Sequence, residues 1–212
     1  MENRAVSDTG PIMHLSEISL INSFDIFSEL IIPEEVEREL KNNKILIFKK
    51  IKILKLSPDF KDKVKILTNQ ENLDLGEAFA IVLAMQEKTD YFLTDDLDAR
   101  NVAIKYNLQV HGTIGIIMRA FREKIIDKKT AIEKVNELYA KSSLFITKDL
   151  VDEISKVPET EKDAILITAK EALTTNQYLK AIDDKFKTTF ISEANIYNAV
   201  EKGITAPMKE VY

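Results

Sequence analysis

The stretch YFLTDDLDAR, residues 91–100, decides how this chain folds. Its opening aromatic and branched residues suit a short buried strand over 91–94. The two acids that follow stop the strand, and a helical pattern takes over across 97–106. Asp95 and Asp96 therefore stand at the carboxyl end of a strand, which is where parallel α/β sheets place their sites.

Working outward, the same logic repeats. Upstream lies a strongly apolar helix over 77–87, opened by Asp74 or Gly76. Downstream, a short strand over 109–111 leads to Thr113, which is expected to cap a helix running to about Glu123. Near the start of the chain, a strand over 4–7 ends at Asp8, and Pro11 begins a helix. A second helix is expected over 20–27. A strand over 30–32 meets Pro33 at the first turn of a helix reaching about Lys41, where Glu34 and Glu35 suit the positive end of the helix dipole. Ile51 and Ile53 alternate in a strand-like way within 45–56. Strands alternating with helices predict a mostly parallel sheet covered on its faces by helices. Further helices are expected over 129–141 and 147–157.

After Pro158 the pattern changes. Helical stretches are expected over 161–172, 176–186 and 192–201, with a weak strand signal over 188–191. The chain thus divides into a first domain, 1–157, and a mainly helical C-terminal extension, 158–212. Tyr178, Phe186, Phe190 and Tyr197 in the extension have apolar neighbours and are expected to pack against the first domain or a second subunit.

Composition narrows the function. Of 212 residues, 45% are apolar and 31% charged, which suits a folded core rather than disorder. The absence of cysteine excludes disulfide frameworks, thiol chemistry and Cys-based zinc sites. His14 and His111 are too far apart to form a zinc signature. His14 reads as a packed or exposed helix residue, His111 as a loop or strand-end residue. Five scattered glycines form neither a P-loop nor a dinucleotide fingerprint. The formal charge of −5 argues against binding nucleic acid through the general field alone. No apolar signal core opens the chain and no apolar run is long enough for a bilayer, so a cytoplasmic protein without membrane contact is expected.

What remains is a set of carboxylates: Asp8, Glu39, Glu77, Asp95 and Asp96. Each has a structural reading. Asp8, Asp95 and Asp96 suit helix caps, and Glu77 suits a first helical turn. Their order around a parallel sheet favours chemistry. The ends of neighbouring strands lie about 5 Å apart, and carboxylates that close repel unless a cation separates them. Hard divalent ions take oxygen ligands and retain water, which they acidify for attack on a phosphodiester.

Five segments then resemble a PIN domain over roughly residues 4–156. They are VSDTGPI (6–12), IPEEVEREL (32–40), LDLGEAFAI (73–81), FLTDDLDAR (92–100) and VHGTIG (110–115). The Gly-Glu-Ala helix and Thr-Asp-Asp strand end most resemble the prokaryotic VapC-like subgroup. The resemblance implies a three-layer α/β/α fold and a ribonuclease dependent on Mg²⁺ or Mn²⁺. It implies metal binding by Asp8, Glu77 and Asp96, with Asp95 competing for the last place, and a further acidic role for Glu39. Thr94 matches the hydroxyl residue beside the final acid, and Thr9 steadies the first carboxylate or contacts a phosphate. RNA is the implied substrate. An antitoxin protein and a homodimer are the implied partners.

The basic groups Lys49, Lys50 and Lys52, then Arg100 and Lys105, then Arg119, Arg122 and Lys124 read mainly as solvated faces. Arg100, one turn after the acid pair, is the expected phosphate contact. Competing functions are a catalytically silent PIN scaffold acting in binding or assembly, and a flap-type DNA nuclease.

Overall fold

Strand β1 (Arg4–Ser7) runs through the middle of a sheet, and its inner residues Ala5, Val6 and Ser7 are buried. It is flanked on one side by β2 (Glu29–Pro33) and on the other by β4 (Tyr91–Leu93). β3 (Ile51–Leu54) and β5 (Gln109–His111) form the two edges. The order is β3-β2-β1-β4-β5 and every pairing is parallel. This is a computed structural model, and it describes residues 3–155 apart from 47, 49 and 72. The expected C-terminal extension, with its three helices, its strand signal and its four aromatic residues, lies outside the described residues.

Strands covered on both faces read as continuous apolar runs rather than alternations. Leu30, Ile31 and Ile32 of β2 are all fully buried for this reason. The covering helices are α1 (Thr9–Glu17), α2 (Glu34–Asn42), α3 (Lys61–Gln70), α4 (Leu75–Glu87), α5 (Leu97–Lys105), α6 (Thr113–Arg122), α7 (Lys128–Lys141) and α8 (Lys148–Ser155). Together they complete an α/β/α sandwich. α4 is deeply placed. Ala78, Ala80, Ile81, Val82, Leu83 and Ala84 are buried around much of its circumference, and it touches β1, β2 and β4. α2 is amphipathic instead, with Val36 and Leu40 inward and Arg38 exposed.

The sequence expectations need four corrections. Residues 20–27 form a short 3-10 helix, Ile21–Ile26, that buries Ser23, Phe24 and Ile26. Ser and Asp in so short a run compete for local backbone bonds and disfavour an α-helix. A 3-10 turn at Pro58–Phe60 and helix α3 were not anticipated. Seven of the ten residues in α3 are polar, and only Val64 and Leu67 are buried, so the apolar signal is faint. On β3, Ile51 is buried whereas Ile53 is 37% exposed, because this is an edge strand covered less fully. Finally, Gly112 occupies the cap position of α6, and Thr113 lies within the first turn with its hydroxyl used elsewhere.

The base of the sheet is pinned by Arg4. Its guanidinium donates to Glu29 at 2.8 Å and Glu87 at 3.2 Å, linking the starts of β1 and β2 to the end of α4. No helix among the described residues is long and apolar enough to cross a membrane.

Candidate active site

The strand order reverses at β1. Successive connections lead outward through β2 and β3, then return to β4 on the other side. The crevice above such a switch point is the expected binding position in open parallel sheets. Here a cleft of about 290 Å³ is lined by Asp8, Thr9, Gly10, His14, Glu39, Asp74, Glu77, Asp95, Asp96 and Ser143–Leu144–Phe145. All five carboxylates singled out from the sequence border it, and Asp74 makes a sixth.

Asp8 follows β1 directly, and its amide donates to the Leu93 carbonyl at 3.0 Å, which carries strand pairing up to the cleft floor. The side chain is 6% exposed. It accepts from the Gly10 amide at 3.0 Å, as an N-cap does, and from the buried Thr94 hydroxyl. Thr94 in turn accepts from the Asp96 amide at 3.0 Å. One hydroxyl thereby fixes the first carboxylate to the loop carrying the last. Burial, reinforced by the nearby charges of Asp95 and Glu77, holds the Asp8 carboxyl well above the usual carboxylate value despite these hydrogen bonds. Gly10 keeps the space between two acids small. A Cβ there would stand 3.5 Å from both Asp8 Oδ1 and Asp95 Oδ2.

Asp95 is held differently. Its side chain, 9% exposed, accepts from His14 Nδ1 at 2.7 Å, from the Thr113 amide at 2.7 Å and from the Thr113 hydroxyl at 2.5 Å. Burial pushes its pKa up, but the His14 and Thr113 interactions outweigh it and leave the group below the ordinary value. Asp95 is therefore ionised, and the ring nitrogen facing it donates. Asp96 is exposed and caps α5 by accepting from the Ala99 amide at 2.9 Å.

Glu77 closes a reciprocal capping box at the head of α4. The Asp74 side chain accepts from the Glu77 amide at 2.8 Å, and the Glu77 side chain accepts from the Asp74 amide at 3.0 Å. Partial burial and the negative charges of Asp96, Asp74 and Asp98 raise Glu77 to about 7. Glu39, on α2, accepts from the Thr9 hydroxyl and lies flat against Gly76. A Cβ at position 76 would overlap Glu39 Oε1 and approach its Cδ to 3.0 Å. Gly76→Ala should therefore displace the Glu39 carboxylate from Thr9 while costing the fold little, since alanine favours a helix by about 1 kcal/mol over glycine. We expect the melting temperature to be held or raised, with the Glu39 carboxylate moved away from Thr9 in a crystal structure of the variant. A clear drop in melting temperature would mean that the backbone, not Glu39, gives way.

The structure departs from the sequence reading at several residues. Arg100 is 7% exposed and does not line the cleft. It donates to the Thr94 carbonyl at 3.2 Å, supporting the strand end from behind rather than offering itself to a phosphate. His14, read as a packed or exposed helix residue, is the partner of Asp95. His111 packs edge-on to Tyr91, with ring centroids 5.1 Å apart; burial and Arg119 lower it to about 4, so it is neutral near pH 7. Among the basic groups, Lys50, Lys52 and Lys105 pair with Asp25, Glu29 and Glu71 respectively. Arg119 packs over Phe27 and Tyr91 and bonds to Asn3 and Glu123. Among the described residues, no lysine or arginine lines the cleft.

The donors available to a metal are all carboxylate oxygens, which suits a hard divalent ion. Burial raises the Asp8 carboxyl, the charges of Asp95 and Glu77 add to the rise, and a cation would relieve that repulsion. Among the described residues, no three acids or histidines already surround a common point. The oxygens of Asp95 are engaged by His14 and Thr113, and Glu77 is engaged by its cap. The set fits a cation in chemistry, with Asp8 buried at the floor of the cleft.

The chain is a parallel α/β/α sandwich with an acidic crevice at its switch point. The family model described as a PIN domain matches residues 4–159, and the chain belongs to the PIN-domain family. PIN domains are in general nucleases, acting on nucleic acids. No curated protein and no solved structure matches the chain.

Proposed function

We propose that this chain is a Mg²⁺- or Mn²⁺-dependent endoribonuclease of the VapC-like kind, and that Asp8, Glu77 and Asp96 hold the ion. One observation carries the reading. Asp8, buried at the end of the central strand, is pushed toward its protonated form by burial and by Asp95 and Glu77 across the same cleft. A divalent ion supplies an acidified water and neutralises charge on the phosphodiester. Thr94 fixes the rotamer of Asp8. Asp95, locked by His14 and Thr113, presents a permanent negative charge behind it. Thr9 keeps Glu39 directed at the cleft, where it orients the attacking water. A toxin role, with a small protein antitoxin covering the acidic cleft, extends the same reading, and so does a homodimer.

The test is cleavage of single-stranded RNA beside single-stranded and forked DNA. A chelator should abolish RNA cleavage and Mg²⁺ or Mn²⁺ should restore it. Activity should rise as pH passes upward through about 7, where Glu77 gives up the proton that competes with the ion. Cleavage that persists in chelator would sink the proposal. The silent-scaffold reading has its own support, since Glu77, Asp95 and Asp96 are all occupied in caps or hydrogen bonds. No Mn²⁺ uptake at millimolar concentration in a calorimetric titration would favour it.

A further inference from the structure

One wall of the cleft is not acidic. The loop between α7 and α8 brings Ser143, Leu144 and Phe145 to its rim. Ser143 is latched to α1, since its amide and hydroxyl donate to the two carboxylate oxygens of Glu17 at 2.9 and 2.8 Å. The Leu144 amide donates to the Ser142 hydroxyl at 3.2 Å, and Ile146 is buried at 4% exposure. Between these anchored neighbours, Phe145 is 59% exposed. Singly exposed apolar side chains are ordinary. Phe145 differs from Leu46, Ile66 and Tyr106, also exposed, because it borders the cleft and they do not.

The cleft sets a problem for a polyanion. Six carboxylates line it and, among the described residues, no lysine or arginine does, so the described lining offers phosphates no basic side chain. Stacking of a base on an aromatic ring needs no charge, and it tolerates any base because each has a π-face. A duplex has its faces already covered by neighbouring bases, whereas an unpaired base is free to stack.

We infer that Phe145 is a stacking platform for an unpaired nucleobase, seating single-stranded or looped-out RNA against the acid cluster. The inference rests on the ribonuclease reading and names its substrate class. Phe145 contributes affinity rather than chemistry.

The chain contains no tryptophan, so Phe145→Trp in the full-length protein gives a single fluorescent reporter at the rim. The probe is a phosphorothioate oligoadenylate in Mg²⁺, compared with a strand of equal length that lacks bases. The base-bearing strand should quench the tryptophan and the abasic strand should not. In cleavage assays of plain oligoadenylate, Phe145→Ala should raise KM about tenfold, as expected for loss of one stacked base, with kcat little changed. Phe145→Tyr should restore KM. Equal quenching by both strands, or no quenching by either, would overturn the inference, as would an unchanged KM in Phe145→Ala. Base-dependent quenching in a protein that cuts no RNA would support the platform while sinking the nuclease reading, so the two fail separately.

Discussion

Asp8→Asn should reduce metal-dependent RNA cleavage by at least about 100-fold, a loss expected when a metal-site residue goes, and should raise the melting temperature of the metal-free protein near pH 7. The first effect follows from position. Asp8 is an oxygen donor buried at the floor of the cleft, and asparagine keeps its shape without its charge. The second follows from linkage. The folded Asp8 carboxyl is raised well above the unfolded value, so between those two values the folded state binds more protons. Stability therefore falls as pH rises through that interval. Asparagine cannot ionise and escapes this loss. Its side-chain oxygen still accepts from the Gly10 amide, and its amide group meets the Thr94 hydroxyl, which is able to accept. Cleavage rates and chelator-treated melting curves measure the two effects. Undiminished turnover would remove Asp8 from the chemistry, and a large drop in melting temperature would show that its charge stabilises the fold.

Asp95→Asn should behave oppositely, as a severe structural lesion. Asp95 accepts from three donors in a buried setting. Asparagine replaces one accepting oxygen with a donor, and that donor must face His14 or Thr113. Leaving a buried hydrogen-bonding group unsatisfied costs about 1–3 kcal/mol, and in a domain of this size that lowers the melting temperature by about 5–10 °C. The pH sign also reverses. Asp95 lies below its unfolded value, so its stabilisation is present above the ordinary carboxylate value and is lost as pH falls through the folded value. Wild type and variant should converge in strong acid. Melting curves across that range decide it; a variant that melts within a degree or two of wild type at neutral pH would mean the three hydrogen bonds add nothing.

The contrast between these two acids shows what the sequence could and could not reveal. The strand ends at Asp8 and at Asp95-Asp96 were legible because apolar runs that stop at acids before helical patterns mark the carboxyl edge of a parallel sheet. Glu39 and Glu77 were legible through their helices and the PIN resemblance. The partner of Asp95 was not, because His14 lies 81 residues away and nothing local distinguishes a histidine that bonds an acid from one that packs. Thr113 carried a misleading local signal: a hydroxyl before a helix suggests a cap, yet its hydroxyl and amide both serve Asp95. Arg100 misled in another way. One helical turn after the acids is close in space, but the rotation of α5 turns the side chain beneath Thr94. The rim at Ser143–Leu144–Phe145 was invisible because loop position depends on how α7 packs on α1 and on the latch to Glu17, 126 residues away in sequence.

The reciprocal clasp between Asp74 and Glu77 gives the cleft a built-in tension. Glu77 serves as the lock on the first turn of a helix buried against three strands, and it is also a wall of the crevice. Its Oε2 accepts from the Asp74 amide, so the clasp breaks only if both oxygens turn into the crevice. Whatever draws both inward leaves the Asp74 amide bare, and a lost cap is worth about 1 kcal/mol. Such occupancy would be felt as a loosening at the head of α4, and tightening that turn by engineering would make the crevice harder to fill.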